Sequence, residues 1–399
     1  MLTLNRRKFV QASVVATGAL ATGLARPALA QSGPIKIGWL PALTGASSST
    51  GIGIGRGVAF GVAEINAAGG INGRKIELII RDTQSDPTKA VNAASELTRS
   101  EKVNVLYGPG NSGEALACTA VIARSRTPQV NPCFVDELMD VEKYPLAFRA
   151  APSNQQVGAA ANRYVLEILK IKEAAVISDT TGYGTASAKA FVPMLTAAGG
   201  AVVYQGAIDA NQPDLLPDMM RMRSAGAKAI MPWSVNPGLL ARILNVRATM
   251  NWDVPVVGQT TLGSGQTRAL LDRPENWEKV YQTNFRSCCF SDGGNLPART
   301  ADFVGRLKAA KVETADTLLW WVAAGYDVAG LVASAVKSGA ETSDQIAAYW
   351  NSGKPHPGVY GDYVWTPRDH NGYPDNDVVM SQANSFQDGM FKLAPGYAS

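Results

Sequence analysis

Histidine is almost missing. The 399 residues hold two, His356 and His370, both in a turn-rich tail. A Ser-His-Asp triad would have to use one of them, and neither stands near a nucleophile turn. No pair of carboxylates stands out as an acid/base couple either, so the sequence argues against catalysis. Cysteine is scarce as well: Cys118, Cys133, Cys288 and Cys289 are all there are. No Cys-x-x-Cys pair occurs, which argues against zinc. Four cysteines allow three pairings, and a bond between the neighbours Cys288 and Cys289 would close a strained ring. Asp369–Asp377 (DHNGYPDND) misses the spacing of a calcium loop and reads as a hairpin turn with solvated acids. No metal or cofactor is expected.

Surplus charge is also missing once the chain is divided. The net charge is +4, and residues 1–30 carry Arg6, Arg7, Lys8 and Arg26 with no acid. The rest of the chain is formally neutral, so nothing in its charge points to nucleic acid. The leading segment has the order of an export signal: Asn5-Arg6-Arg7-Lys8-Phe9-Val10, a weakly apolar run from Ala12 to Ala25, then the small-x-small site Ala28-Leu29-Ala30. A twin arginine before such a run predicts export to the periplasm by the twin-arginine pathway. The run is too short and too polar to span roughly 30 Å of hydrocarbon, and it holds no cysteine for a lipid. No later stretch reaches 18 uninterrupted apolar residues, so a soluble mature protein is expected. Its length exceeds what one core comfortably fills, which predicts two domains.

What is present is alternation. Predicted strands at Ile35–Leu40, Ile76–Asp82, Val103–Leu106, Ala174–Ser178, Ala201–Gln205, Ala229–Pro232 and Val254–Gly258 are separated by helical segments. Those segments are Gly55–Ala68, Pro87–Ser100, Glu114–Ser125, Gln156–Leu169, Thr185–Ala198, Leu215–Ala225 and Pro237–Thr249. This rhythm predicts an α/β fold with parallel sheets covered on both faces. It breaks at Tyr144–Ser153 and at Tyr281–Pro297, which suggests two Rossmann-like lobes joined by a hinge, with a ligand cleft between them.

Two turns draw attention. Gly108–Gly113 links a strand to a helix, where free N–H groups and a positive helix end favour a carboxylate. Within it Ser112 either binds such a ligand or caps its own helix, and local sequence alone favours the cap. Ser47–Thr50 followed by Gly51, Gly53, Gly55 and Gly57 mimics a phosphate loop without satisfying G-x-G-x-x-G or the P-loop pattern.

An ordered series of motifs carries a resemblance. IKIGWLPALTG at Ile35–Gly45, GVAFGVAEINAAGGING at Gly57–Gly73 and DTQSDP at Asp82–Pro87 are followed by Gly108–Gly113, Tyr183-Gly184 and Gly325-Tyr326-Asp327. Together they resemble the branched-chain amino-acid (leucine/isoleucine/valine-binding) class of ABC-transporter solute-binding protein, from Pro34 to near Lys392. The resemblance implies a type I periplasmic-binding fold with three crossover strands. Lobe one would comprise 31–150 plus 284–358 and lobe two 151–283 plus 359–399, with crossings near Ala150, Thr283 and Val359. It implies a small-molecule ligand, an amino acid or a carboxylate, trapped by hinge closure. A membrane permease and its ATPase would be the partners, and the protein a monomer. A sensing module delivering its ligand to a receptor is the alternative.

The resemblance also implies a site. Ser49, Thr50, Asn111, Ser112, Cys133 and Phe134 would face the ligand from lobe one, Tyr183, Trp233 and Thr260 from lobe two, and Trp321 from the head of a long helix. Two departures bear on the ligand. Phe134 and Val135 stand where amino-acid binders have small and hydroxyl residues. Val257-Gly258-Gln259-Thr260-Thr261 lacks the acid that answers an ammonium group. Asp136 or Asp179 would have to supply that charge, and the aromatics favour an apolar or aromatic carboxylate. Ser85 replaces a cysteine common in relatives, so their usual disulfide is not expected.

Overall fold

A computed structural model describes residues 33–397. The twin-arginine segment lies outside the described residues.

The alternation folds into two sheets. The first has β1 (Ile35–Trp39), β2 (Ile76–Ile80), β3 (Val105–Tyr107), β4 (Gln129–Asn131) and β5 (Ala147–Arg149), all parallel, in the order β2-β1-β3-β4-β5. The second contains β6 (Glu173–Asp179), β7 (Ala201–Ile208), β8 (Ala229–Trp233), β9 (Val256–Gly258) and β10 (Val280–Phe285). Small pairs follow: β11 (Cys289–Phe290), β12 (His356–Pro357) and β13 (Asp362–Tyr363), before β14 (Val378–Gln382) and β15 (Phe391–Lys392). The second sheet runs β14-β10-β9-β8-β6-β7 and is parallel except for β14, which lies antiparallel on β10. Asn284 Nδ2 ties that last strand down by donating to Ser381 Oγ at 3.0 Å.

The helices are α1 (Ser48–Ala67), α2 (Pro87–Ser95), α3 (Ser112–Ser125), α4 (Asn154–Arg163), α5 (Gly182–Ala197), α6 (Leu216–Ser224), α7 (Pro237–Thr249), α8 (Gly265–Ala269), α9 (Ala298–Ala309), α10 (Leu319–Lys337) and α11 (Ser343–Trp350). Several begin earlier than their apolar periodicity predicts, because the residues that start them are small and polar. Ser153 and Gln156 form a capping box ahead of α4, Thr181 caps α5, and Asn111 caps α3. Each cap satisfies first-turn N–H groups that would otherwise lack a partner.

The glycines after Thr50 have a structural explanation. They lie inside α1, which packs along α10 at very short range. A Cβ on Gly57 would stand 1.8 Å from the carbonyl oxygen of Val322, and one on Gly325 2.1 Å from that of Ile54. The phosphate-loop likeness is instead a run of close packing inside α1, where Gly51 meets the Ala42 main chain, Gly53 meets Trp321 and Gly55 meets Trp39. By length and composition α10 would pass for a membrane span, but 83% of its most apolar stretch is buried inside the protein. It is a core helix.

Asp327 anchors α10 to the turn at 358–363. Its carboxylate accepts from Val359 N at 2.7 Å, Tyr360 N at 2.9 Å and the Tyr363 hydroxyl at 2.9 Å. All four cysteines are buried free thiols. Burial pushes the thiols of Cys118 and Cys133 up to about 12, so they stay protonated.

Candidate ligand site

Strand order reverses in the first sheet between β1 and β3 and in the second between β6 and β8. Ligands of open parallel sheets bind at such switch points, outside the carboxyl ends of the strands. The cavity here obeys that rule from both sides, with an empty volume of about 640 Å³. From the first sheet, Trp39 ends β1, Pro41, Ala42 and Ser47 follow it, Gly110 and Asn111 follow β3, and Pro132, Cys133 and Phe134 follow β4. Thr50, Gly51 and Ile54 come from the first turns of α1. From the second sheet come Tyr183 at the head of α5, Val235 after β8, and Gln259 and Thr261 after β9. Trp320 and Trp321, at the head of α10, complete the wall.

Five of these side chains are large aromatics, and none is Asp, Glu, Lys, Arg or His. Phe134 lies 6.2 Å from Tyr183 edge-on and 5.9 Å from Trp320, ring centre to ring centre. The acids nearest in sequence are already engaged. Asp179, fully buried, accepts from Thr181 N at 2.9 Å, Thr181 Oγ1 at 2.5 Å and Ser234 Oγ at 2.6 Å. Asp136 faces Arg149 at 3.4 Å. That guanidinium, 2% exposed, also donates to the carbonyls of Val135 and Phe134, at 2.8 and 3.2 Å. Gln259 spends its amide on its own loop: Nε2 donates to Ser234 O, and Oε1 accepts from Thr261 N at 3.0 Å. Two hydroxyls in the wall, Thr50 Oγ1 and Tyr183 OH, are buried without a hydrogen-bond partner. Burial holds the Tyr183 phenol protonated, since its pKa is pushed well above the ordinary value.

Of the residues singled out by sequence, Thr50, Asn111, Cys133, Phe134, Tyr183 and Trp321 line this cavity. Four do not. Ser49 sits partly buried in the first turn of α1, outside the wall. Ser112 is fully buried behind Asn111, its hydroxyl without a partner. It is not the cap either: Asn111 is, accepting from Gly113 N at 3.0 Å and donating to Ser47 Oγ at 3.1 Å. Trp233 is a core residue, stacked on Phe191 with ring centres 3.4 Å apart and planes 10° from parallel. Thr260 supports the wall from behind, its hydroxyl accepting from Trp320 Nε1 at 3.0 Å. Trp39, Trp320, Val235, Gln259 and Thr261 line the cavity without being marked for it by any motif. Trp39 had a usable signal, because it ends the first strand and strand ends face the cleft.

Glu114 stands in the first turn of α3, 1% exposed, with neither carboxylate oxygen hydrogen-bonded. Burial pushes its carboxyl up to about 7, the nearby Thr83 hydroxyl opposing the rise and Asp82 and Asp86 adding to it. The folded pKa lies above the unfolded one, so the group's stabilising share is complete below about pH 4.5 and is lost as pH rises through about 7. Glu114→Gln is expected to flatten that slope and to gain on the order of 2 kcal/mol at pH 8. Urea unfolding at pH 5 and pH 8 checks it; parallel curves for the two proteins would refute the assignment.

The sequence model described as periplasmic binding protein matches residues 34–389. The Leu/Ile/Val-binding protein BraC3 of Rhizobium johnstonii is 30% identical over 231 residues, 57% of this chain. That match spans 62% of the relative's length, a little under two thirds. Among solved structures, the substrate-binding protein LivJ of Streptococcus pneumoniae, in complex with isoleucine, shares the fold with a TM-score of 0.78 and 24% identity, over 90% of this chain and 99% of its own. A solute-binding protein from Rhodopseudomonas palustris BisB5, in complex with 3,4-dihydroxybenzoic acid, does so at 0.74 and 20%, over 90% and 96%. With that family match running through both sheets and the cavity between them, the chain belongs to the periplasmic binding protein family.

Proposed function

We propose that the protein captures a small aromatic carboxylate lacking an ammonium group, outside the cytoplasmic membrane, as the solute-binding component of an ABC importer of the branched-chain amino-acid type. The observation that carries this is a cavity walled by five aromatic rings and holding no charged side chain. An amino acid would bring an ammonium into it with no carboxylate to meet it. An unpaired ion in so dry a site costs several kcal/mol. A carboxylate meets a different environment. The N-termini of α3 and α5 flank the cavity through Asn111 and Tyr183, and both are the positive ends of their helices. Thr50 Oγ1 and Tyr183 OH supply hydroxyls that have no other partner. The asymmetry favours an anion over a cation. The solved relatives span both chemistries, one with isoleucine and one with a dihydroxybenzoate; the uncharged wall of this chain favours the second.

Capture follows from closure. A ligand touching both halves binds the closed arrangement better and shifts the population toward it. The closed protein would then dock on a permease.

Isothermal titration tests the ligand. Saturable binding of 3,4-dihydroxybenzoate is expected, with L-leucine at least about 100-fold weaker, a difference of about 2.7 kcal/mol. Binding of leucine with no response to the benzoate would overturn the reading.

A further inference from the structure

At the edge of the cleft the two halves approach backbone to backbone through a pair of glycines. Gly113 is the second residue of α3, on the first sheet; Gly182 opens α5, on the second. A Cβ on Gly182 would stand 2.5 Å from Gly113 Cα, 2.7 Å from Gly113 N and 3.3 Å from Asn111 Oδ1. A Cβ on Gly113 would stand 3.1 Å from Gly182 Cα. Neither glycine has a left-handed backbone, and both lie in regular helix, so neither conformation demands glycine. What a side chain would lack at Gly182 is room, and the obstacle is rigid main chain on the other side of the cleft. The flanking residues Asn111 and Tyr183 both line the cavity, so the contact sits at its edge.

We infer that Gly113 and Gly182 form a closure contact of the cleft and limit how completely it shuts. They are positioning residues: neither lines the cavity, yet a methyl group at Gly182 would hold the halves ajar and keep Tyr183 from its seat beside Phe134. The inference rests on the closure mechanism proposed above. Alanine in a helix with ordinary φ is otherwise neutral or favourable, so the variant is expected to fold and to melt no lower than the native protein.

The test reads closure without needing the ligand. Glu137 and Lys189 approach across the same opening, 3.9 Å apart, with side chains 57% and 82% exposed. Glu137→Cys with Lys189→Cys provides a pair for a short bis-maleimide, and the native cysteines are buried. In this background, ligand-free protein is expected to cross-link, and adding Gly182→Ala is expected to slow the reaction at least fivefold. Gly113→Ala is expected to slow it less, because its clash is milder, and the double variant to be less than additive, since both methyls enter one gap. Equal rates with and without Gly182→Ala would overturn the inference, as would a background pair that never cross-links. Adding 3,4-dihydroxybenzoate separates the two readings. If it fails to speed cross-linking while Gly182→Ala still slows it, the ligand assignment falls and the closure contact stands.

Discussion

Trp320→Ala is expected to lower the unfolding free energy by about 3–5 kcal/mol, the usual cost of truncating a buried tryptophan, and to abolish measurable ligand binding. Trp320 is 5% exposed and belongs to the core and to the cavity at once. Its ring meets Phe285 edge-on at 5.1 Å, stacks on Tyr360 at 5.4 Å and faces Phe134 at 5.9 Å. Its indole N–H donates to Thr260. Removal would open a hole that these rings, fixed from several sides, cannot collapse to fill. Trp320→Phe keeps part of the packing and loses the hydrogen bond, so a smaller loss of both stability and affinity is expected. Urea unfolding and calorimetry measure the two effects. A stability cost under about 1 kcal/mol for the alanine variant would show that the cluster relaxes and that the wall is softer than its packing implies.

The second large effect is expected at Asp327. Asp327→Ala removes the acceptor from three buried donors at once, the amides of Val359 and Tyr360 and the hydroxyl of Tyr363. Each unsatisfied donor costs about 1–3 kcal/mol, so a loss of roughly 3 kcal/mol or more is expected. Desolvation pushes this carboxyl up to about 7, so burying its charge is itself costly. Asp327→Asn keeps one acceptor oxygen without the charge and is expected to recover part of the loss. Thermal melts of the three proteins at pH 7 decide it; equal melting temperatures for the alanine and native proteins would show that the turn at 358–363 finds other acceptors.

Sequence carried the fold class because the period-2 and period-3.6 segments alternate so regularly. It was weaker where those periods vanish. The three-residue strands Gln129–Asn131 and Ala147–Arg149 are too short to show a period, and β14 lies in a turn-rich tail. The apolar period begins later than the helix itself wherever serine, threonine or glycine fills the first turn, as in α1 and α5. The lining of the cavity was legible at loops that follow strands, which hold Thr50, Asn111, Cys133, Phe134 and Tyr183. Rotation about a strand or helix was not legible. Trp233 and Val235 are two residues apart, and the aromatic one is the one that turned into the core. Ser112 and Asn111 are adjacent, and the residue that caps the helix is also the one in the wall. In the pair Trp320-Trp321 both rings reach the cavity, a consequence of its lying at the very head of α10, where two successive side chains can flank one opening.

The antiparallel strand β14 has a consequence for biosynthesis. Its partner β10 is made nearly a hundred residues before the ribosome delivers Val378–Gln382. Until then a nascent chain has β10 as an open edge, with a row of unpaired amides and carbonyls able to recruit a strand from another molecule. The second sheet is thus completed only once Val378–Gln382 has emerged. A chain cut short before Val378 would keep every residue that lines the cavity and yet be prone to aggregate, so the strand at Val378–Gln382 bears on the yield of soluble protein more than its distance from the cleft suggests.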